Sequence, residues 1–230
     1  MVGVKTNPFR DWRTFLTEIA IIVVGVLIAL LAQQMADSRN WDAQVRDARE
    51  SMDGQLAGSM FAARERVGSA DCTERQLARL DQLTDLDEVP PLSRTTGSGL
   101  RPWATSTWES ATASGAVAHM AKDTRDTYSE IFDFTRKMGS LNIAEYDVAS
   151  GLSTMLTHRR LDPVSRDRLQ REIASARRYN SLLKLASQQW IESAKPLHLR
   201  LAADDENELR NAVSAACPMP DDPPIKPAAG

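Results

Sequence analysis

The chain has 230 residues, a net charge of −3 and a mean hydropathy of −0.36, with 42% hydrophobic and 26% charged residues. These averages exclude a collagen-like chain, a multi-span transporter, a disulfide-dense mini-protein and a wholly disordered chain, because each needs a compositional extreme. A pI near 5.7 also argues against a nucleic-acid-binding protein. The averages are those of an ordinary globular protein, and they conceal one apolar run near the N-terminus.

This run covers residues 19–36, which carry no charge. As a helix it would span roughly 27 Å, close to the hydrocarbon thickness of a bilayer. A buried helix of a soluble core would instead place a polar residue at every third or fourth position. Trp12 and Trp41 flank the run about 43 Å apart along a helix, where tryptophan favours the two membrane interfaces. We therefore predict a short cytoplasmic tail, 1–14, and a transmembrane anchor, 15–36.

Three residues of the anchor have a structural and a functional interpretation. Gly25 and Ala29 have the small-xxx-small spacing that lets transmembrane helices pack closely, although chance in a span rich in alanine and glycine explains the spacing equally well. Glu18 stands at the start of the apolar run, where a carboxylate is costly. We expect it to reach the near interface rather than to pair with a partner.

A secretory signal peptide would also place basic residues before a short apolar stretch, and its cleavage would make the protein secreted. The best cleavage point, after Ala32, has Leu30 where a small residue is required, so an uncleaved signal anchor is favoured. Three basic residues lie on each side of the apolar run, but within about nine residues of it the count is two to one for the N-terminal side. Those before the run are Lys5, Arg10 and Arg13, and those after it are Arg39, Arg46 and Arg49. The positive-inside rule then places the N-terminus in the cytoplasm and the rest of the chain outside.

Two cysteines, Cys72 and Cys217, lie early and late in the part predicted to be exported. An oxidising compartment permits a disulfide between them, which the chain-entropy model values at up to about 4–5 kcal/mol. Two unrelated thiols are the alternative.

Beyond residue 36, apolar residues recur at helical spacing without strand-like alternation, so we predict an all-α protein. The anchor helix continues into an amphipathic stalk with Gly68 as a candidate kink or break, and it ends before Pro90. Its predicted apolar stripe is Trp41, Val45, Ala48, Met52, Leu56, Met60, Ala63, Val67, Leu77, Leu80 and Leu83. Residues 88–105, rich in proline, glycine, serine and threonine, are predicted to form a loop.

Capping signals mark the helices that follow. Ser106 and Glu109 match a capping box, and Asp123 is expected to cap a second helix that ends at Gly139. A further helix covers 141–156.

Asp162 and Pro163 together predict the start of the longest of these later helices, with a kink at Pro196. A short helix over 204–216 follows, and the proline-rich residues 218–230 are predicted to be disordered.

Charge is segregated along the chain. Residues 37–88 hold 12 acidic and 7 basic side chains, a net charge of −5, whereas residues 159–200 hold 4 and 10, a net charge of +6. We predict that these two segments pack side by side within one antiparallel helical bundle, 37–217, located in the periplasm. The alternative is that the basic segment meets an acidic partner or anionic headgroups.

Little in the sequence points to chemistry. His119, His158 and His198 lack metal-ligand spacing, and no nucleophile-elbow, phosphate-loop or dinucleotide-binding motif occurs. We therefore expect no enzyme activity, cofactor or metal.

Two stretches resemble an uncharacterised family of bacterial single-pass membrane proteins. Residues 18–30, followed by Trp41, are similar to that family's anchor, which reads approximately G-E-I-x-x-V-x-G-x-L-I-A-L-x-x-N-x-W-N. A second block is similar to its aromatic helix start, Ser-Gly pair and tyrosine helix, and comprises Thr107, Trp108, Glu109, Ser110, Ser114, Gly115 and Tyr128. Thr17 replaces the family's glycine, and residues 33–37 depart from its Asn-Asn-Trp-Asn segment. The resemblance covers about the first 60 residues and the 105–135 block, and implies topology and a bacterial envelope location but no activity.

The leading functional hypothesis is a non-enzymatic inner-membrane protein with the lipid bilayer and an envelope protein or a second copy of itself as partners. A periplasmic ligand-sensing bundle is the alternative. A hydrolase with scattered residues is disfavoured, because nothing pairs a nucleophile with a base.

Overall fold

The computed structural model describes residues 8–85, 99–155 and 161–216, and within these ranges it contains helices and turns but no β-strand. The all-α prediction is confirmed. The helices are α1 (Pro8–Leu83), α2 (Ser106–Ala113), α3 (Lys122–Met155), α4 (Pro163–Ala194) and α5 (Ala203–Ala216), with 3₁₀ turns at Ala116–His119 and Lys195–Leu197.

The first helix, α1, is continuous for 76 residues. It begins inside the predicted tail, at Pro8, because proline lacks an N–H and is well suited to a first helical turn. Of the kink or break expected at Gly68, the break does not occur, since α1 runs through this residue. Its second half is also not a free stalk. From Met52 onward its apolar stripe is buried in the bundle at Met52, Leu56, Met60, Ala63, Leu77, Leu80 and Leu83.

Two hydrophobic clusters form the core. The first lies nearer the apolar end of α1 and joins α1, α2, α3 and α4 through residues that include Met52, Leu56, Tyr128, Phe132, Met138, Leu183 and Trp190. The second lies at the far end of α1 and contains Leu77, Leu80, Leu83, Leu152, Leu161, Leu169 and Ile173. Burial of each large apolar side chain contributes about 1.5–3 kcal/mol, so both clusters hold the later helices against α1.

The central helix of the bundle is α4, which packs against both α1 and α3. Along the α1–α4 interface, Lys184 pairs with Asp71 at 2.7 Å and Arg177 pairs with Glu74 at 3.0 Å, so rising numbers on α1 meet falling numbers on α4. The predicted pairing of the acidic and basic segments is therefore confirmed. These ion pairs are partly exposed, which means that they orient the helices more than they stabilise them.

Helix boundaries depart from the predictions where packing competes with local signals. The capping box is absent, because the Ser106 hydroxyl accepts a hydrogen bond from Gln55 at 2.9 Å and Glu109 accepts one from Thr105 at 2.7 Å. The two helices predicted on either side of Gly139 are one helix, α3. Gly139 faces the side chain of Trp103, where an added Cβ would lie only 3.4 Å from the Trp103 Cβ.

Other boundaries follow the predictions. Asp162 caps α4 by accepting a hydrogen bond from the Ser165 amide at 2.8 Å, which confirms the predicted start. This bond and a second one from the Ser165 hydroxyl hold the pKa of the Asp162 carboxyl below its ordinary value. Pro196 lies in the 3₁₀ turn after α4 rather than at a kink within it. Of the predicted loop 88–105, only residues 99–105 are described, and they are not helical; the tail 218–230 lies outside the described residues.

The last helix, α5, packs on α1 through small and polar side chains. The Val213 side chain lies against Gly68 so closely that a Cβ added to the glycine would be 2.9 Å from Val213 Cγ2. Arg64 and Glu206 form a partly exposed ion pair at 2.6 Å. No residue of α5 is fully buried, so its attachment depends on these few contacts.

Candidate membrane anchor and adjoining domain

The N-terminal part of α1 is apolar and uncovered. Between positions 15 and 35, thirteen large apolar side chains are each 41–66% exposed: Phe15, Leu16, Ile19, Ile21, Ile22, Val23, Val24, Val26, Leu27, Ile28, Leu30, Leu31 and Met35. By length and composition this part of α1 is able to cross a membrane. Within the described ranges, none of its apolar window is buried.

The predicted anchor residues all lie on this part of α1 or at its end. Trp12 and Glu18 are exposed, and the Trp12 ring lies 6.3 Å from that of Phe15. Gly25 and Ala29 are also exposed, and a Cβ added to Gly25 would meet nothing within 4 Å. The face that carries Gly25 and Ala29 is therefore uncovered in the single chain. This exposure tests neither the helix-packing interpretation of their spacing nor the interpretation that it arose by chance.

Trp41 is the first residue of α1 in contact with the rest of the domain. Its indole stacks on the imidazole of His119, with ring centroids 3.9 Å apart and an interplanar angle of 15°. Gly115, in the left-handed region with φ 83°, lies beside the same ring: a Cβ there would be 3.7 Å from Trp41 Cη2. The loop between α2 and α3 thus closes the domain around α1 at this level.

A buried polar network joins α1, α3 and α4 further along. Arg66 and Glu145 are 2% and 5% exposed and form an ion pair, and Asn180 accepts a second hydrogen bond from Arg66 at 3.2 Å. Asn180 in turn donates to the backbone oxygen of Ala70 at 2.9 Å. Burial lowers the pKa of Arg66, and the adjacent carboxylate of Glu145 opposes that shift. The network is sealed from solvent, so its arrangement suits helix positioning rather than ligand binding.

A second part of this network holds the segment before α2. Arg101 binds Glu65 through two hydrogen bonds, at 2.8 and 3.0 Å, and its backbone amide donates to Asn142 at 2.8 Å. Asn142 also donates to Glu145 at 3.4 Å. Through these bonds the segment that begins at Gly99 is fixed against both α1 and α3.

Two aromatic residues of the core carry satisfied polar groups. Fully buried Trp190 donates from Nε1 to the Thr135 hydroxyl at 2.9 Å. Tyr128 donates from its hydroxyl to Asp53 at 2.5 Å. Burial, together with this carboxylate, raises the pKa of Tyr128 to about 12. Both rings are therefore held as neutral, oriented parts of the core.

Cys72 is buried on α1, and its Sγ lies 3.7 Å from the backbone oxygen of Ala216. Gln76 donates to the same oxygen at 3.3 Å. Ala216 immediately precedes Cys217, which lies outside the described residues. The Cys72–Cys217 disulfide stays a prediction, and the position of Ala216 is compatible with it.

The two histidines that the structure describes do not converge. His119 stacks on Trp41, His198 follows the second 3₁₀ turn with φ 52°, and His158 lies outside the described residues. In the part of the chain that the structure describes, no group of three or more histidine, cysteine or acidic residues could hold a metal ion. An open groove of about 660 Å³ lies beside α3 and α4, lined by Val67, Glu130, Phe134, Ile191 and Glu192 among others.

The sequence predicted the apolar part of α1 but not the contact of Trp41 with His119 or the Arg66–Glu145 pair. One signal for the pair was present, because Arg66 interrupts the predicted stripe between Ala63 and Val67. Comparison with known proteins adds no relative: no family model, curated protein or solved structure matches the chain.

Proposed function

We propose that the chain is a non-enzymatic, single-pass protein of the bacterial inner membrane, whose antiparallel helical bundle is exported and mediates protein–protein interaction or assembly in the cell envelope. One observation carries the membrane part of this proposal. The same uninterrupted helix, α1, is apolar and exposed over residues 15–36 and is a core helix of the bundle from Met52 onward.

The energetics favour lipid over water for the first part of α1. About half of the surface of each of its large apolar side chains is exposed, so transfer into hydrocarbon is worth roughly 1–2 kcal/mol per residue. The helix itself satisfies the backbone hydrogen bonds that a bilayer interior would leave unmet. With thirteen such side chains on the segment, insertion is strongly favoured over exposure to water.

Substitution with arginine tests the anchor. Val23→Arg with Val26→Arg places two charges near the middle of the apolar segment, at an insertion cost of about 2.5–3.5 kcal/mol each. On the same insertion scale a large apolar side chain contributes only about 0.3–0.6 kcal/mol, so two arginines offset most of what the thirteen contribute. Val164→Arg with Leu185→Arg is the control, since Val164 and Leu185 are exposed apolar residues on α4. Extraction of cell membranes with alkaline carbonate is expected to release or deplete the anchor variant and to retain the control variant. Equal retention of the two variants would contradict the anchor.

Orientation and cleavage have separate tests. Alkaline phosphatase fused after Gly230 is expected to be active, because this enzyme folds only outside the cytoplasm. A green fluorescent protein fused at the same point is expected to be dark, because it would be exported unfolded.

Mass spectrometry of the membrane-extracted chain is expected to find the anchor residues at its N-terminus. A mature N-terminus near Gln33 would instead support a secreted protein.

The interaction role is supported by the presentation of the bundle on a helix that is long and apolar enough to cross a membrane. The resemblance of residues 18–30 to a single-pass membrane family supports the same location. Chemical crosslinking in native membranes followed by affinity purification tests the role. Covalent capture of a second copy or of one reproducible envelope protein is expected, whereas recovery of the monomer alone would contradict it.

The groove beside α3 and α4 supports one second candidate, a ligand-sensing domain. Its volume of about 660 Å³ falls in the range of small-molecule sites, and Phe134 and Ile191 supply apolar contacts. A ligand-induced rise in the melting temperature that is lost in Phe134→Ala would favour this candidate over an assembly role.

A further inference from the structure

We call the end of the domain that lies nearest to the exposed apolar segment of α1 its lower end. Every residue from 14 to 40 of α1 is exposed, and Trp41 is the first half-buried one. The stack of Trp41 on His119 and the close approach of Gly115 show which part of the domain is lowest. It comprises the last turn of α2 and the residues that lead to α3, 110–121, which we name the collar.

The height of the collar follows from helix geometry. Trp41 is five residues beyond Ala36, the last residue of the uncharged run, which is a rise of about 7.5 Å. The headgroup layer on each side of a bilayer is roughly 5–7.5 Å thick. If α1 spans the membrane as proposed above, the level at which the collar contacts Trp41 therefore coincides with the outer edge of the headgroup layer.

The composition of the collar, which lies between Glu109 and Lys122, is a second observation. Its twelve residues contain no Asp, Glu, Lys or Arg, although 26% of the chain is charged and about three such residues would be expected. Ala111, Ala116, Val117 and Met120 are buried and attach the collar to the core, while the remainder is small or uncharged and largely exposed. The exposed members are Ser110, Thr112, Ala113, Ser114, Ala118, His119 and Ala121.

We propose that the collar lies in the headgroup layer of the bilayer that α1 crosses, so that the domain rests directly on the membrane surface. The partner is the lipid interface itself. An uncharged surface of small residues loses little hydration when it enters this layer, whereas charged side chains without partners would oppose entry. Charge begins again at Lys122, where α3 rises away from this level.

Fluorescence quenching by lipids distinguishes this proposal from a domain held clear of the membrane. The full-length chain is reconstituted in phosphatidylcholine vesicles with a bimane fluorophore on Ala118→Cys in the collar. Leu27→Cys reports on the anchor, and Ala174→Cys reports on the distal part of α4. Ala174 is exposed and lies close to Arg177 on α4. Arg177 binds Glu74 and Asp81 of α1, and Glu74, the nearer of the two to the apolar segment, is about 50 Å above Trp41 along the helix. The unmodified chain, labelled in parallel, gives the background from Cys72 and Cys217.

Two spin-labelled lipids serve as quenchers, one labelled on the headgroup and one deep in the acyl chain. The headgroup label is expected to quench bimane at position 118 strongly and at position 174 not at all, while the acyl-chain label quenches position 27. Unquenched fluorescence at position 118 with quenching at position 27 would refute the collar and leave the anchor intact. Unquenched fluorescence at position 27 would refute the anchor, and the collar proposal with it.

A charged variant adds a second measurement. Ala121→Asp introduces a charge into the collar at an exposed position, and it is expected to reduce headgroup quenching at position 118. Ala174→Asp is the matched substitution far from the membrane, and it is expected to leave that quenching unchanged. If Ala121→Asp also had no effect, the collar would not be in contact with lipid.

Discussion

Replacing Glu145 with leucine removes the carboxylate that pairs with Arg66 inside the bundle. The two side chains are only 6% and 3% exposed, so water cannot take the place of the lost partner. Arg66 would keep its hydrogen bond to Asn180, at 3.2 Å, but its charge would be unpaired. Removal of one partner from a buried pair costs about 3–5 kcal/mol, a large part of the roughly 5–15 kcal/mol that stabilises a domain.

A double variant distinguishes the effect of losing the ion pair from the effect of losing side-chain volume. Arg66→Met with Glu145→Leu removes both charges and keeps apolar side chains of similar size, an exchange that is often neutral or stabilising in other buried pairs. Here Asn180 would also lose the donor to its Oδ1, at a cost of about 1–3 kcal/mol. The double variant is therefore expected to recover most, but not all, of the stability that Glu145→Leu loses.

Urea unfolding of the full-length protein in detergent, followed by far-UV circular dichroism and tryptophan fluorescence, measures these differences. The expected order of unfolding free energy is wild type first, the double variant close behind, and Glu145→Leu well below both. If Glu145→Leu were as stable as the wild type, the burial of Arg66 would not need its carboxylate. If the double variant were less stable than Glu145→Leu, charge pairing would not be the cause of the loss.

Three further predictions concern other contacts of α1. Unfolded tyrosine ionises near pH 10 but Tyr128 only at about 12, so the free energy of unfolding is expected to fall by up to about 2–3 kcal/mol between pH 10 and 12, and pH-dependent unfolding of Tyr128→Phe should lack this loss. Gly68→Leu is expected to displace α5 and expose the segment before it to limited proteolysis, while Gly58→Leu, which meets open space, is expected to leave cleavage unchanged. Cys72→Ser is expected to remove a Cys72–Cys217 peptide from non-reducing peptide maps; a wild-type map without that peptide would contradict the disulfide.

The fold was largely predictable because its signals are local. The stripe from Met52 to Leu83 repeats at steps of three and four, and the Asp162–Pro163 start of α4 is encoded within two residues. The errors occur where a distant side chain decides the outcome. Ser106 bonds Gln55 rather than capping its own helix, and Gly139 permits the approach of Trp103 without ending α3.

The apolar segment of α1 was predictable for the same reason, since hydropathy over eighteen residues needs no knowledge of the fold. The Arg66–Glu145 pair was not, because its members are 79 residues apart and no spacing rule joins them. The same holds for the stack of Trp41 on His119. The interfacial role predicted for Trp41 did not indicate that the tryptophan also contacts the domain.

The region in which α1 passes from its exposed part to its buried part contains no hinge. Between Gly25 and Gly54 there is neither glycine nor proline, so no residue there weakens or interrupts the helix. Because each added residue extends the existing helix at little cost, α1 continues from the apolar segment into the first cluster. The position of Trp41 on that helix therefore sets both the height and the rotation of the collar relative to the apolar segment. A domain joined by a flexible linker would have no fixed position relative to the apolar segment, whereas the collar is held at one level of α1 by its contact with Trp41.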